Sequence, residues 1–532
     1  MRISTPRSAL LVLLAALPAP GARFYPDDPL TREPRPRDAS QAVRRKISDY
    51  YDFFLHMFSR QGEYHTPGRI YRAQSVDTLG EPLNGAWYTR RHYYSPMSVE
   101  ELVRGPGNTS APSMDGPWKV VKAKTEGVTP GFEILDSKGR RYVMKFDPLE
   151  EPEIATAPDV LVSKFFHALG YHVPENYIVY FTEDQLELGE NVEVLDRRLR
   201  PKKMSQRDLI DILVKVPKDR LGRYRGGASL YLPGKPLGPY KYFGVRRDDP
   251  NDVVRHEHRR DLRGLSVFSA WLGHDDSRAI NTLDMLVEED GIAFIRHYLI
   301  DFGSTLGSAS YGPNSPRSGF EYLFEFDKAV LQFFTFGAAV PDWARARYPS
   351  YRGVGRFEAE KFDAEGWVPE YPNPAFRNRL PDDEFWAAKQ VMAFTDEQIA
   401  AIVKTGEYSD PRAERWITNC LIQRRDKIGQ AFLEKVLPLD GFRVREGKLE
   451  FVDLGVRHGL VASRSYQVHW FVFDNESETR KEIPDATTLA IPGGETRYLA
   501  ADIHGGESKK KVTVYLRRKP GEWEVVGVER HW

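Results

Sequence analysis

A single cysteine, Cys420, in 532 residues excludes an internal disulfide framework, so packing, hydrogen bonds and ion pairs must hold the fold. Charge excess is missing as well: 76 Lys plus Arg stand against 76 Asp plus Glu. That balance removes any global electrostatic pull toward nucleic acid or an anionic membrane and leaves only local charge to act. Also missing is an apolar run of the roughly 20 residues that a bilayer span requires, so no transmembrane span is expected. The sequence has no G-x-S-x-G elbow, and "RHEHRR" at 255–260 lacks the i, i+4 histidines of a helical zinc site. It reads instead as an exposed, pairing-rich turn. Cys420 lies in a helical pattern and is expected to be a buried structural residue.

What is present begins with "MRISTPRSALLVLLAALPAPGA": Arg2 and Arg7, a short apolar core, then small residues up to Ala22. This reads as a signal peptide over 1–22 and predicts an exported protein, periplasmic or secreted. The chain is too long for one compact core. Residues 23–117 combine one helix, with Val43, Ile47, Tyr50, Phe54 and Phe58 at helical spacing and Ser40 as N-cap, with an irregular wrapping segment rich in Gly and Pro. From Trp118 three strands with Gly-rich turns predict an antiparallel meander, followed by the helix "PDVLVSKFFHALG" and the strand "NYIVYF". Charged, Gly- and Pro-rich residues 184–258 read as a connector that completes a unit over 118–258. Helical patterns dominate 259–436, and 437–532 returns to strands spaced as in a small β-sandwich. The fold class is α+β.

The densest polar stretch is "WLGHDDSRAINTLD", residues 271–284, directly after an apolar helix. Beyond it, two apolar strands flank Asp290-Gly291, a hairpin signal. The hairpin returns Asp301 to the side of Asn281. Oxygen-bearing side chains gathered in this way, with Asp276, suit Mg²⁺ or Mn²⁺, which prefer hard oxygen ligands and leave positions for substrate phosphates.

His274-Asp275-Asp276-Ser277-Arg278-Ala279-Ile280-Asn281 resembles the H-x-D-x-x-x-x-N catalytic loop of the protein-kinase superfamily, and Asp301-Phe302-Gly303 resembles its D-F-G. The resemblance covers about 118–436. It implies a two-lobed kinase-like fold, with an antiparallel β-rich N-lobe at 118–258 and a helical C-lobe at 259–436. Asp276 would be the base or orienting carboxylate for an acceptor hydroxyl, with His274 bracing its loop, and Asn281 and Asp301 would hold the metal ions that bridge the phosphates of ATP. Lys145 in "YVMKFD" corresponds to the strand lysine that holds those phosphates. Its acidic partner would be Asp159, with Glu153 second, although Asp159 suits a helix cap equally well. Gly127 and Gly131 in "KTEGVTPGF" depart from a G-x-G-x-x-G loop but lie where backbone N–H groups would meet phosphate.

The pattern is nearer to divergent kinases, the HipA-like, lipid-kinase-like and secretory-pathway enzymes, than to regulatory ones. "GSTLGSASYGPNSPRSG" reads as a flexible loop in place of A-P-E. Parts of the sequence also resemble a family of exported bacterial proteins, which supplies no function. Three functions follow: an ATP- and metal-dependent phosphotransferase acting on a hydroxyl of a protein, glycan or small molecule; a kinase-like scaffold without turnover, binding a cell-surface partner through the terminal β domain; and a nucleotidyl transferase on the same fold. ATP is scarce outside the cytoplasm, which favours the scaffold. Retention of Asp276, Asn281 and Asp301 together favours an enzyme.

Overall fold

The computed structural model describes residues 21–107, 109–123, 131–195, 200–325, 334, 341–506 and 509–532. All but the end of the expected signal peptide, and Gly127, lie outside these residues. The architecture is mixed α+β.

Residues 21–107 run over several parts of the molecule. Phe24 enters the C-terminal sheet beside Phe473, Tyr498 and Tyr515. Ala39 and Ala42 pack on Leu237 and Ile295, and Trp87, Tyr88 and Leu102 join the main helical core. Helix α1 (Asp49–Phe58) is capped by Ser48, whose side chain accepts from the Tyr51 N–H. The expected start at Ser40 is therefore eight residues too early: Ser40 bonds to Asp38 instead, and Val43 is exposed. The one short helix after it is α2 (Val99–Arg104).

Strands β1 (Trp118–Ala123), β2 (Gly131–Leu135) and β3 (Arg141–Lys145) form the expected antiparallel meander. Helix α3 (Thr156–Ala168) and strand β4 (Asn176–Phe181) follow. The stretch read as a connector then contributes β5 (Leu186–Leu188), a small hairpin of β6 (Glu193–Leu195) and β7 (Pro201–Lys203), helix α4 (Gln206–Leu213) and β8 (Tyr224–Leu230). Strand β8 lies inside the six-stranded sheet β4-β8-β3-β2-β1-β5. Its Gly226 and Gly227 look like turn residues, yet packing requires at least the first. A Cβ on Gly226 would sit 2.9 Å from a ring carbon of Phe146.

Strand β9 (Lys235–Gly238) pairs with the predicted hairpin of β10 (Thr282–Glu289) and β11 (Ile292–Leu299). Asp290 (φ 50°) and Gly291 (φ 72°) make its turn. Helix α5 (Arg260–Leu272) is buried along its whole length against α6 (Pro381–Val391), with α7 (Asp396–Lys404) and α8 (Pro411–Phe432) beside them. Helix is scarcer than expected upstream of these, since 341–373 is irregular apart from a 3-10 turn at Asp342–Arg345. The "RHEHRR" stretch is buried rather than exposed: His256 bonds to Asp252, and the Glu257 carboxylate accepts the N–H groups of Glu63 and Gly244. Cys420 is buried in α8, and burial pushes its thiol up to about 12, which leaves no thiolate for nucleophilic chemistry.

The C-terminal residues form a hairpin, β12 (Leu439–Arg445) with β13 (Lys448–Asp453), and one antiparallel sheet of β14 (Tyr466–Phe473), β15 (Arg480–Glu482), β16 (Tyr498–Gly505), β17 (Lys511–Lys519) and β18 (Glu522–His531). The hairpin covers one face through Leu439 and Leu449, against Leu499, Ala501 and Ile503, and Phe24 covers part of the other. This differs from a sandwich, which would set two full sheets face to face. No helix among the described residues is long and apolar enough to cross a membrane.

The α5–α6 contact has no spare volume at Gly264, where a Cβ would lie 2.3 Å from a Trp386 ring carbon. Gly264→Ala is expected to lower stability by about 1–3 kcal/mol despite alanine's better helix propensity, as read from urea melts. An unchanged midpoint would show that the contact yields.

Candidate functional site

The site is built where β3, α3, the loop after α5 and the end of β11 converge. Lys145 is the last residue of β3, opposite Gly131 on β2 and Gly227 on β8. Its ammonium lies 2.8 Å from an Asp301 carboxylate oxygen and 3.3 Å from Asp159. The chain then turns through Asp147, which accepts the N–H groups of Ala155 and Thr156 at 2.8 and 2.9 Å and the Thr156 hydroxyl at 2.6 Å. Asp147 thus caps α3, and Asp159 is released from the capping role that the sequence left open. Asp159 instead points from a helix buried on almost every side, pairs with Lys145 and accepts the Phe302 N–H at 2.9 Å. Glu153, the second choice as lysine partner, accepts the Ser409 N–H.

The loop 274–281 starts where α5 stops at Gly273, in the left-handed conformation. The His274 N–H donates to Ser269 O, and its ring packs between Phe166 and Phe302, with centroids 5.8 and 6.0 Å away. Burial lowers the imidazole to about 4, so it is a neutral brace at physiological pH. Asn281 Nδ2 donates to the Asp276 carbonyl at 2.8 Å, while no described residue bonds to its Oδ1. The hairpin delivers Asp301 as expected: Thr282 pairs with Leu299, and the Ile300 N–H donates to the Asn281 carbonyl. Asp301 holds a left-handed backbone (φ 62°), which asparagine and aspartate tolerate better than other residues. The next residues are not loose. Asn314 Nδ2 reaches Asp275 at 2.7 Å and Ser304 bonds to Ser310, so the stretch read as flexible is tied to the 274–281 loop.

Lys145 is one cation against two carboxylates. Burial alone would lower its pKa, but Asp159 and then Asp301 outweigh that and raise it, so the ammonium stays charged. Asp159 is raised as well, because burial and then Asp301 outweigh the pull of Lys145. The two directions share a cause: Asp301 attracts the ammonium of Lys145 and repels the carboxylate of Asp159. Asp276 is raised for the same kind of reason, burial first, with Arg278 opposing and Asp301 reinforcing.

Several neighbours of Asp276 escaped sequence reasoning. Arg278 forms an ion pair with Asp276, reaches Asp49 at the start of α1 and the Tyr371 hydroxyl at 2.9 Å each, and lies 3.7 Å from Glu370. Arg278 stands two residues after Asp276 in the polar stretch, which was signal enough to single it out; Asp49, Glu370 and Tyr371 are remote in sequence and gave none. Among the described residues no three His, Cys, Asp or Glu side chains are grouped to hold a metal. Asn281 Oδ1 and the Asp301 carboxylate would make a hard-oxygen set that needs substrate oxygens or water to complete an octahedron.

Burial pushes the Asp275 carboxyl up to about 7 from 3.8, and Asp276 beside it adds to the shift. The folded chain therefore holds a proton on Asp275 that the unfolded chain has released. Stability contributed here falls as pH rises from about 4 to about 7 and is flat above. Asp275→Asn is expected to melt higher than the parent at pH 8, with the difference vanishing near pH 4. Parallel melting curves across that range would refute the assignment.

No family model matches the chain, and no curated protein matches it. Several solved structures are similar to it in part, among them the following. A Golgi casein kinase is 10% identical over 60% of this chain and 73% of that chain, with a TM-score of 0.30. The Golgi casein kinase with Mn/ADP bound is 12% identical over 60% and 73%, with a TM-score of 0.29. A proinflammatory kinase of Helicobacter pylori is 10% identical over 59% and 98%, with a TM-score of 0.30. At such TM-scores the side chains of the site carry the argument, and the likeness does not.

Proposed function

We propose that this chain is a two-lobed, kinase-like phosphotransferase, exported from the cytoplasm, that uses ATP with Mg²⁺ or Mn²⁺ to phosphorylate a hydroxyl. The observation that carries the reading is Lys145, set on the sheet between a buried helix carboxylate, Asp159, and the Asp301 carboxylate that the hairpin returns. A strand lysine held by a buried helix carboxylate, beside a second carboxylate half open to solvent, prepares a place for a divalent cation and its phosphates. In this role Lys145 binds phosphate oxygens, and Asp159 fixes it while also holding the Phe302 N–H. Asp301 and Asn281 Oδ1 would ligate the metal, which supplies charge neutralisation on the transferring phosphoryl group.

Asp276 faces the acceptor. Its raised pKa suits a carboxylate that accepts the hydroxyl proton as the new bond forms, and Arg278 holds its orientation. The acceptor side of the loop is bounded by Asp49, Glu370 and Tyr371, through their contacts with Arg278. The family supposed from the motifs would supply the same roles. Gly131 lies beside Lys145 in register, where its backbone could approach a phosphate.

An ATP analogue with Mn²⁺ is expected to raise the melting temperature of the full chain only when metal is present, and Asp301→Ala to abolish the rise. Asp276→Asn should keep that rise while lowering γ-phosphate transfer by about 10²–10⁴-fold. Transfer of α-labelled phosphate instead would mean nucleotidyl transfer, and no response at millimolar nucleotide would leave the scaffold.

A further inference from the structure

Behind the catalytic-loop sequence lies a second cavity, of about 170 Å³, walled by Gly273 at the end of α5, by the loop after Asp301, by residues 356–367 and by α8. Its floor holds Arg424, only 7% exposed. The guanidinium is clamped between the rings of Phe357 and Phe362, 3.9 and 4.3 Å from their centroids. Nε donates to Glu358 O at 2.7 Å and Nη1 to Ala270 O at 3.1 Å. Among the described residues no carboxylate forms an ion pair with it and no acceptor meets Nη2, and the buried Glu358 carboxylate attracts it only from farther off. A buried cation left in this state is costly, and burial lowers Arg424 to about 10.

The rest of the lining sharpens the point. Arg356 and Lys361 stand at the same cavity: Arg356 donates to the Asn314 carbonyl, and Lys361 pairs with Glu360, 3.2 Å away. Two carboxylates also line it, Asp275 and Asp363. Asp275 accepts from Asn314 Nδ2 at 2.7 Å, and Asp363 accepts the Glu365 N–H. The innermost of the three cations, Arg424, has its guanidinium plane fixed by the aromatic clamp and its Nη2 without an acceptor among the described residues, the arrangement in which arginine recognises a phosphoryl oxygen.

We infer that this cavity binds a small oxyanion of the phosphate class, seated on Arg424 with Arg356 and Lys361 around it. An occupant would touch the end of α5, the loop after Asp301 and α8 at once, and so would brace the walls that carry His274 to Asn281. The inference is independent of the chemistry proposed at Lys145.

The test is the thermal stability of the full chain in inorganic phosphate, against chloride at constant ionic strength, with glycerol 3-phosphate as a second arm. A saturable rise is expected, half-complete at about 1 mM or below. A stronger response to glycerol 3-phosphate than to phosphate would assign the site to an organic phosphomonoester, and the reverse to the free ion. Arg424→Gln should remove the response. Should that variant fail to fold, the double variant Arg356→Gln, Lys361→Gln should weaken it about tenfold or more, the worth of one or two charge-assisted hydrogen bonds. Asp301→Ala should leave it intact. Absence of a saturable rise in the parent, a rise unchanged in the variants, or one lost in Asp301→Ala would each overturn the inference.

Discussion

The position of a single ammonium organises this protein. Lys145 ends a central strand and must meet carboxylate where it is buried, and the two that meet it come from α3 and from the far end of the β10–β11 hairpin. Those contacts fix how the sheet stands against the helical core. Asp159 also takes the Phe302 N–H, and Phe302 in turn packs on His274, so strand, helix, loop and hairpin are locked around one charge. Taking Lys145 and Asp159 out of water is a poor way to gain stability even as a pair, while Asp301 stays half open to solvent. A fold that does so is holding charge at a defined place.

Much of this was legible in the sequence, and for local reasons. The meander, the Asp290-Gly291 hairpin, α3 and α8 follow from alternation, helical spacing and turn chemistry, which short windows contain. His274, Asp276, Asn281 and Asp301 stood out because their spacing is short and the hairpin is predictable. The choice between pairing and capping for Asp159 was not legible, because it depends on Asp147, whose capping bonds appear only once the chain turns back after β3. Strand β8 was hidden for a different reason: Gly226 and Gly227 mark turns in isolation, whereas here the Phe146 ring excludes a side chain.

The same distinction explains the errors of exposure. "RHEHRR" reads as surface because it is charged, yet its groups are satisfied by partners remote in sequence, among them Glu63, Asp382 and Asp383. Burial of charge is a property of the partner set, and single segments do not disclose it. The sequence likewise placed the helix of residues 41–60 by apolar spacing, while Ser48, a better cap, decided where it starts.

Phe24 and Arg23 have a consequence of another kind. Phe24 is buried among Phe473, Tyr498 and Tyr515, and Arg23 pairs with Glu529, so this segment is clasped by strands far later in the chain. A ribosome delivering residues in order leaves this clasp open until β18 has emerged, and closing so long a loop comes late in folding. The clasp thus ties the two segments in time as well as in space: a chain cut short before β18 has no Glu529 for Arg23 and no Val526 to pack on Phe24.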